Sequence, residues 1–343
     1  MINLNNLVRK NVRDLIPYSC ARDDFRGKAA VFMDANENPY GSLNRYPDPY
    51  QEKLKTAISE LRNIPAERIF LGNGSDEIID LCFRIFCNPG IDKALTFSPT
   101  YGMYEVSADA NDVSMIKVPL NSSFQIDPKD VLPQLSDKHL KLILICSPNN
   151  PTGNCMDKAV LEKIISEFHG IVLLDEAYID FADVQSFRDQ TEKYHNLIVM
   201  QTFSKAFGMA SVRVGMAFTN PEIVKYFNKI KPPYNISTIN QETVLKKLHK
   251  PAEYIEEVQK IREGRSMLAE ELKKLPLIEK VYHSDANFIL VKVKDSGLLY
   301  NYLVGRGIIV RDRNSVISNC LRITIGTATE NKELINALKS FNE

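Results

Sequence analysis

Apolar residues along this chain fall into two rhythms. Short unbroken runs at 142–146 (Leu-Ile-Leu-Ile-Cys), 171–174 (Ile-Val-Leu-Leu) and 197–200 (Leu-Ile-Val-Met) predict strands buried on both faces, as in a parallel sheet. Each run stops at polar residues, and the first ends in a Pro/Gly turn, Ser-Pro-Asn-Asn-Pro-Thr-Gly at 147–153. A shorter strand-like run at 68–71 leads through Gly-Asn-Gly-Ser-Asp-Glu at 72–77 into a helical pattern from Ile78. Strand and helix alternate in this way from Ala30 to about Asn220, which predicts an α/β domain with helices on both faces of its sheet. Past Pro221 the texture changes. Pro232 and Pro233 break the chain, and a long charged helical stretch runs from about 240 to 274. Short strands are expected at 287–293, 307–311 and 321–325, then a closing helix. Residues 221–343 are therefore expected to form a smaller domain.

Composition agrees with two domains. The chain has 343 residues, 44% of them hydrophobic, enough for one large core and one smaller. Acidic and basic residues balance at 43 each, without a long block of one sign, which argues against nucleic acid or a membrane surface as partner. The N-terminus lacks a basic stretch followed by an apolar run, and no segment approaches the roughly 18 apolar residues of a spanning helix. A soluble, cytoplasmic protein is expected. The six cysteines are scattered and form no C-x-x-C pair, so they read as reduced thiols. The five histidines are equally dispersed, and no metal site is expected.

Candidate chemistry sits at the strand ends. Lys205, in Thr-Phe-Ser-Lys-Ala-Phe-Gly at 202–208, stands among hydroxyls and small residues with Arg213 eight positions on. A lysine is nucleophilic only when neutral, and desolvation or a nearby cation makes it so. Asn150 and Asp175 end the two preceding strands, with Tyr178 three residues beyond the acid. At the carboxyl edge of a parallel sheet these side chains would converge on a ligand. Ser75 and Asp76 open a helix, so their backbone N–H groups could cradle an anion. Glu77 stands where a dinucleotide-binding fingerprint needs its third glycine.

Asn150, Asp175 and Lys205, on successive strands and with these neighbours, resemble the fold-type I pyridoxal-phosphate aminotransferases over residues 33–327. The resemblance implies a large domain (30–220) built on a mainly parallel seven-stranded sheet. It also implies a smaller α+β domain (221–343), which the N-terminal arm (1–29) joins. It implies pyridoxal 5'-phosphate bonded by Lys205, its ring nitrogen paired with Asp175, and its ring oxygen near Asn150 and Tyr178. Tyr101 would stack on the ring. Ser75, Asp76, Thr202, Ser204 and Arg213 would hold the phosphate, and Tyr46 would reach the phosphate of a partner subunit in a homodimer.

The motifs at 34–41 (Asp-Ala-Asn-Glu-Asn-Pro-Tyr-Gly), 45–49 and 286–288 are similar to the histidinol-phosphate aminotransferase branch. That resemblance implies transfer between L-histidinol phosphate and 2-oxoglutarate (imidazole-acetol phosphate and glutamate), in histidine biosynthesis. Arg322 and Arg311, eleven residues apart, would meet the substrate's anion together with Tyr18 and Asn38. An ordinary ion pair of Arg311 with Asp312 or Asp295 is the alternative. The chain departs from the branch at Ser19, where a glycine commonly follows the tyrosine, and in its short 313–319 loop. A broad aromatic aminotransferase, a threonine-phosphate decarboxylase and a non-enzymatic cofactor-binding regulator are the competing functions. The regulator is disfavoured because no DNA-binding module fits before the large domain.

Overall fold

The computed structural model describes residues 4–20 and 30–341. Its larger sheet contains β1 (Ile69–Asn73), β2 (Lys93–Ser98), β3 (Ser114–Pro119), β4 (Leu140–Cys146), β5 (Ile171–Asp175), β6 (Leu197–Thr202) and β7 (Val214–Phe218). The strand order is β1-β7-β6-β5-β4-β2-β3. Within it β2 to β6 run parallel, and β7 is antiparallel to both of its neighbours. A smaller antiparallel sheet holds β8 (Ile278–Val281), β9 (Phe288–Val293), β10 (Arg311–Asp312) and β11 (Cys320–Thr324), ordered β10-β11-β9-β8.

The helices are α1 (Lys10–Asp14), α2 (Glu52–Arg62), α3 (Gly74–Phe86), α4 (Met103–Ala110), α5 (Pro128–Val131) and α6 (Lys158–Glu167). They continue with α7 (Pro221–Ile230), α8 (Thr238–Leu248), α9 (Pro251–Lys273), α10 (Ser296–Gly305) and α11 (Ala328–Lys339).

Alternation along the central strands sorts their side chains into two cores. Val172, Leu174, Leu197 and Val199 face a layer with Leu54 and Ile58 of α2, Leu161 of α6 and Val244 of α8. Ile171, Leu173, Ile198 and Met200 face Ile78 and Phe83 of α3, Tyr104 of α4 and Phe227 of α7. Unbroken apolar runs were required because both faces are covered. A third core lies between α9, α10, α11 and the small sheet, with Leu268, Leu272, Val291, Leu321 and Leu334 at its centre. Among the described residues, no helix is long and apolar enough to cross a membrane.

Several expectations change. The cores do not divide at residue 220, because α7 packs on the large sheet and α8 on α2. Their apolar stripes match that sheet, and the small core begins only in the second half of α9. The arm's described part also goes to the large domain. Leu4, Val8 and Val12 insert beside α3 and α7, and the Arg9 N–H donates to the Ile85 carbonyl at 2.9 Å. The rest of the arm, apart from residues 15–20, lies outside the described residues. The expected long helix is two, since Pro251 starts α9 at a position where its missing N–H costs nothing. The expected strand at 307–311 shrinks to the two residues of β10.

One contact fixes where α3 begins. A Cβ on Gly215 of β7 would lie 2.5 Å from the Ser75 nitrogen and 2.6 Å from the Gly74 carbonyl carbon, so only glycine lets the helix start this close to the sheet. Gly215→Ala is expected to push α3 outward and cost on the order of 1–3 kcal/mol. Urea unfolding checks this, and a variant as stable as its parent would contradict it.

Candidate active site

The three expected strand ends come together at one edge of the large sheet. Lys205 sits on the loop between β6 and β7. Phe203 and Phe207, both buried, pin this loop, and Phe207 stacks on Tyr254 of α9 at 4.2 Å. The Phe203 N–H donates to Val214 and the Met209 N–H returns to Phe203, which leaves Lys205 at the apex. Its amine lies 5.6 Å from the centre of the Tyr178 ring. Burial first, then the positive charge of Arg322, lowers its pKa, with Asp175 opposing. The lysine is thus biased toward the neutral, nucleophilic form.

Asp175 is buried at the end of β5. It accepts a hydrogen bond from the Tyr104 hydroxyl at 2.7 Å and from the Ala177 N–H at 3.0 Å. No described Lys or Arg forms an ion pair with it. Burial therefore prevails over these donors and pushes its pKa up to about 6. A buried carboxylate with two neutral donors and no cation is suited to receive a protonated ring nitrogen from a ligand.

Beside it lies a candidate anion cradle. Side chains cap α6, α7, α8, α10 and α11, whereas α3, like α2, α4 and α9, opens with no side-chain cap. Its first amide, on Gly74, donates to the Arg213 carbonyl at 2.9 Å, and the next ones belong to an uncapped helix start of the kind that binds anions. The Thr202 hydroxyl accepts from the Ser204 N–H at 3.1 Å. Arg213 adopts a left-handed φ of 53° and lays its guanidinium over Gly74, where a Cβ would be 2.5 Å from Nη2. It donates to Ser204 at 3.4 Å and to the Asp76 carboxylate at 3.2 Å. The Asp76 carboxylate also receives the Tyr101 hydroxyl at 3.3 Å, so this acid ties Arg213 to Tyr101.

The small domain contributes Arg322, on β11. Its Nη1 donates to Asn150 Oδ1 at 2.5 Å, and Asn150 Nδ2 lies 3.4 Å from the Tyr178 hydroxyl. The guanidinium rests on the Phe288 ring at 5.2 Å. Arg311 stands directly opposite Arg322 in the β10–β11 register, so both point to one face of the sheet. Neither expected acid pairs with Arg311. Asp295 caps α10 and Asp312 accepts from the Asn314 N–H. Arg311 is among the like charges that lower Arg322's pKa.

These groups bring together an amine biased toward neutrality, a buried carboxylate, an uncapped helix start beside Arg213 and two facing arginines. The model of the aminotransferase class I and II family matches residues 25–338. The chain belongs to the class I and II aminotransferases. It is 51% identical over 346 residues to the histidinol-phosphate aminotransferase of Cytophaga hutchinsonii, covering 99% of both chains. Its fold matches the crystal structure of the histidinol-phosphate aminotransferase from Clostridium acetobutylicum with a TM-score of 0.80 at 28% identity, over 87% of this chain and 90% of that one. The Sinorhizobium meliloti histidinol-phosphate aminotransferase, solved in complex with pyridoxal-5'-phosphate, matches with a TM-score of 0.77 at 21% identity, covering 86% and 83%.

In this aminotransferase three expected site residues lie elsewhere. Tyr18 borders a hollow with Arg84 and Lys229, at the far end of α3 from the cradle, and does not join Arg311 and Arg322 within one chain. Asn38 and Tyr46 line a hollow of about 550 Å³ on the exposed 36–47 segment, where Tyr46 stacks on Tyr234 at 4.4 Å. Sequence reasoning overlooked Tyr104 as the donor to Asp175. Tyr101 precedes the start of α4 and Tyr104 lies in its first turn, with their rings edge-on at 5.5 Å, so helical spacing alone gave no signal for it. It also missed Phe288 as the platform for Arg322.

Asp175's pKa of about 6 lies above its ordinary 3.8. Between those values the folded chain keeps a proton that the unfolded chain has lost, so this group's contribution to stability falls as pH rises through that window. Cofactor-free Asp175→Asn is therefore expected to melt higher than its parent at pH 7, with the gap closing toward pH 4. Thermal unfolding at both values checks this, and a lower melting temperature at pH 7 would refute it.

Proposed function

We propose that this aminotransferase uses pyridoxal phosphate to transfer the amino group between L-histidinol phosphate and 2-oxoglutarate. In the biosynthetic direction glutamate is the donor and imidazole-acetol phosphate the acceptor. The observation that carries the substrate is the facing pair Arg311 and Arg322, with neither neighbouring acid paired to Arg311. Two guanidinium groups on one face suit a dianionic phosphate better than a single carboxylate. The name of the relative at 51% identity supports the same choice.

The residues present fit the cofactor. The uncapped start of α3, with Ser75, Asp76, Thr202, Ser204 and Arg213, would hold its phosphate. Asp175 would accept a hydrogen bond from the protonated ring nitrogen, Asn150 and Tyr178 would meet the ring oxygen, Tyr101 the ring face and Lys205 the aldehyde. When bound, the cofactor supplies an electron sink for the substrate's Cα. The remaining work belongs to the chain. Lys205, its amine held toward neutrality by burial and Arg322, accepts the proton from Cα and returns it. Asp175 keeps the opposing positive charge in place. Arg322 and Arg311 orient the substrate's distal anion.

We also propose that the enzyme works as a homodimer. Val31, Met33, Tyr40 and Leu43 are all more than two-thirds exposed, an apolar surface around Tyr46 that a second copy would cover. Tyr46 would then reach the partner subunit's phosphate. Mixing Tyr46→Phe with Lys205→Ala, each inactive alone, is expected to restore part of the activity, because one of the heterodimer's two sites is intact. Mixing that restores nothing would argue against a shared site.

The substrate is tested by adding L-histidinol phosphate without keto acid to the cofactor-loaded protein and following its visible spectrum. Conversion is expected with this amine and not with histidinol, phenylalanine or O-phosphothreonine. Lys205→Ala should lose the visible absorbance of the lysine-bonded cofactor and at least about a hundredfold in turnover. Arg311→Ala should raise KM for the phosphorylated amine roughly tenfold. Conversion by phenylalanine, or carbon dioxide release from O-phosphothreonine, would replace the proposed substrate.

A further inference from the structure

Glu176 follows Asp175 but faces the opposite side of the sheet, toward the layer of Val172 and Leu174. It is 2% exposed. Its carboxylate accepts from the Ser186 hydroxyl, from the Phe187 N–H at 2.7 Å and from Gln201 Nε2 at 2.9 Å. Its own N–H donates to the Met200 carbonyl at 2.8 Å. Gln201 Nε2 also reaches Ser186 at 3.1 Å, and the Ser186 hydroxyl accepts from the Arg188 N–H at 3.1 Å. One carboxylate thus ties together the end of β5, the end of β6 and the chain at 186–187.

Stability alone does not account for it. Burial pushes its pKa up to about 7, and Arg188 acts on it only at a distance. The Cys155 thiol is the other titratable group whose pKa responds to it. Gln201 Oε1 is buried with no donor. A buried acid with neutral partners and an unsatisfied neighbour costs more than an apolar residue of the same volume.

What it closes is the loop 177–185, which contains the groups that line the site. Ala177 holds Asp175, and Tyr178 meets Asn150 and lies under Lys205. Asp180 forms a bidentate pair with the buried Arg62, both contacts at 2.9 Å, and Asp183 pairs with Arg262 of α9. Gln201, the anchor on β6, precedes Lys205 by four residues.

We propose that Glu176 is a positioning residue: its carboxylate fixes the loop carrying Tyr178 against the strand that delivers Lys205. It touches neither the reacting groups nor the cradle. The inference rests on the cofactor reading above, and its test separates the two.

The experiment titrates the visible absorbance of cofactor-loaded wild type, Glu176→Gln, Tyr178→Phe and the double variant. Glu176→Gln is expected to move the titration midpoint by half a pH unit or more, in the direction Tyr178→Phe moves it. Adding Glu176→Gln to Tyr178→Phe is expected to move it no further, the non-additivity of one residue acting through another. In turnover kcat should fall about tenfold, with KM for the amine changed less than about threefold. A midpoint unmoved while only the melting temperature drops, or shifts that simply add, would overturn the inference. Should Glu176→Gln fail to fold, Ser186→Ala removes one donor and keeps the carboxylate. It should shift the midpoint the same way by less, and no shift would again overturn the role. Wild type that takes up no visible absorbance would overturn the cofactor reading itself.

Discussion

The approach of α3 to β7 governs much of this molecule. A helix start has amides with no partner, and most of the long helices here satisfy them with an Asp, Asn, Ser or Thr side chain. At α3, as at α2, α4 and α9, that option is not taken; its Gly74 N–H donates instead to the Arg213 carbonyl, and Gly215 lets the first turn press against the sheet edge. The left-handed backbone at Arg213 then turns its guanidinium across Gly74. The close approach is thereby set by backbone rather than by exchangeable side chains. The reversed strand β7 is what brings Arg213 and α3 to the same edge as the ends of β4, β5 and β6.

Charge balance in the site follows from the same crowding. Lys205 and Asp175 are both buried enough to favour their neutral forms, and they are close enough to oppose that tendency in each other. Arg322 tips the lysine further, and Tyr104 pulls the acid back. A ligand with a cationic nitrogen and an anionic group supplies the charges that both halves of the site lack.

Much of this was legible in the sequence. The runs at 142–146, 171–174 and 197–200 could only be interior strands, and the polar residues ending them could only meet at one sheet edge. The facing of Arg311 and Arg322 was less visible, because a two-residue strand leaves almost no periodicity. The packing of α7 and α8 with the large sheet's layers was not legible at Pro221, since their apolar stripes do not announce which sheet they cover. Glu176 was invisible for another reason. Beside a functional acid it looks like a second functional acid, and only alternation in three dimensions sends it to the opposite face.

The bond from Arg322 to Asn150 spans the two domains. Here the arginine is satisfied by an amide oxygen that belongs to the protein. Any arriving anion competes with this resident acceptor, which is held 2.5 Å away at no entropic cost. Asn150 also lies 3.4 Å from the Tyr178 hydroxyl through its Nδ2, so one amide side chain links the small domain's arginine to the strand-end groups of the large sheet.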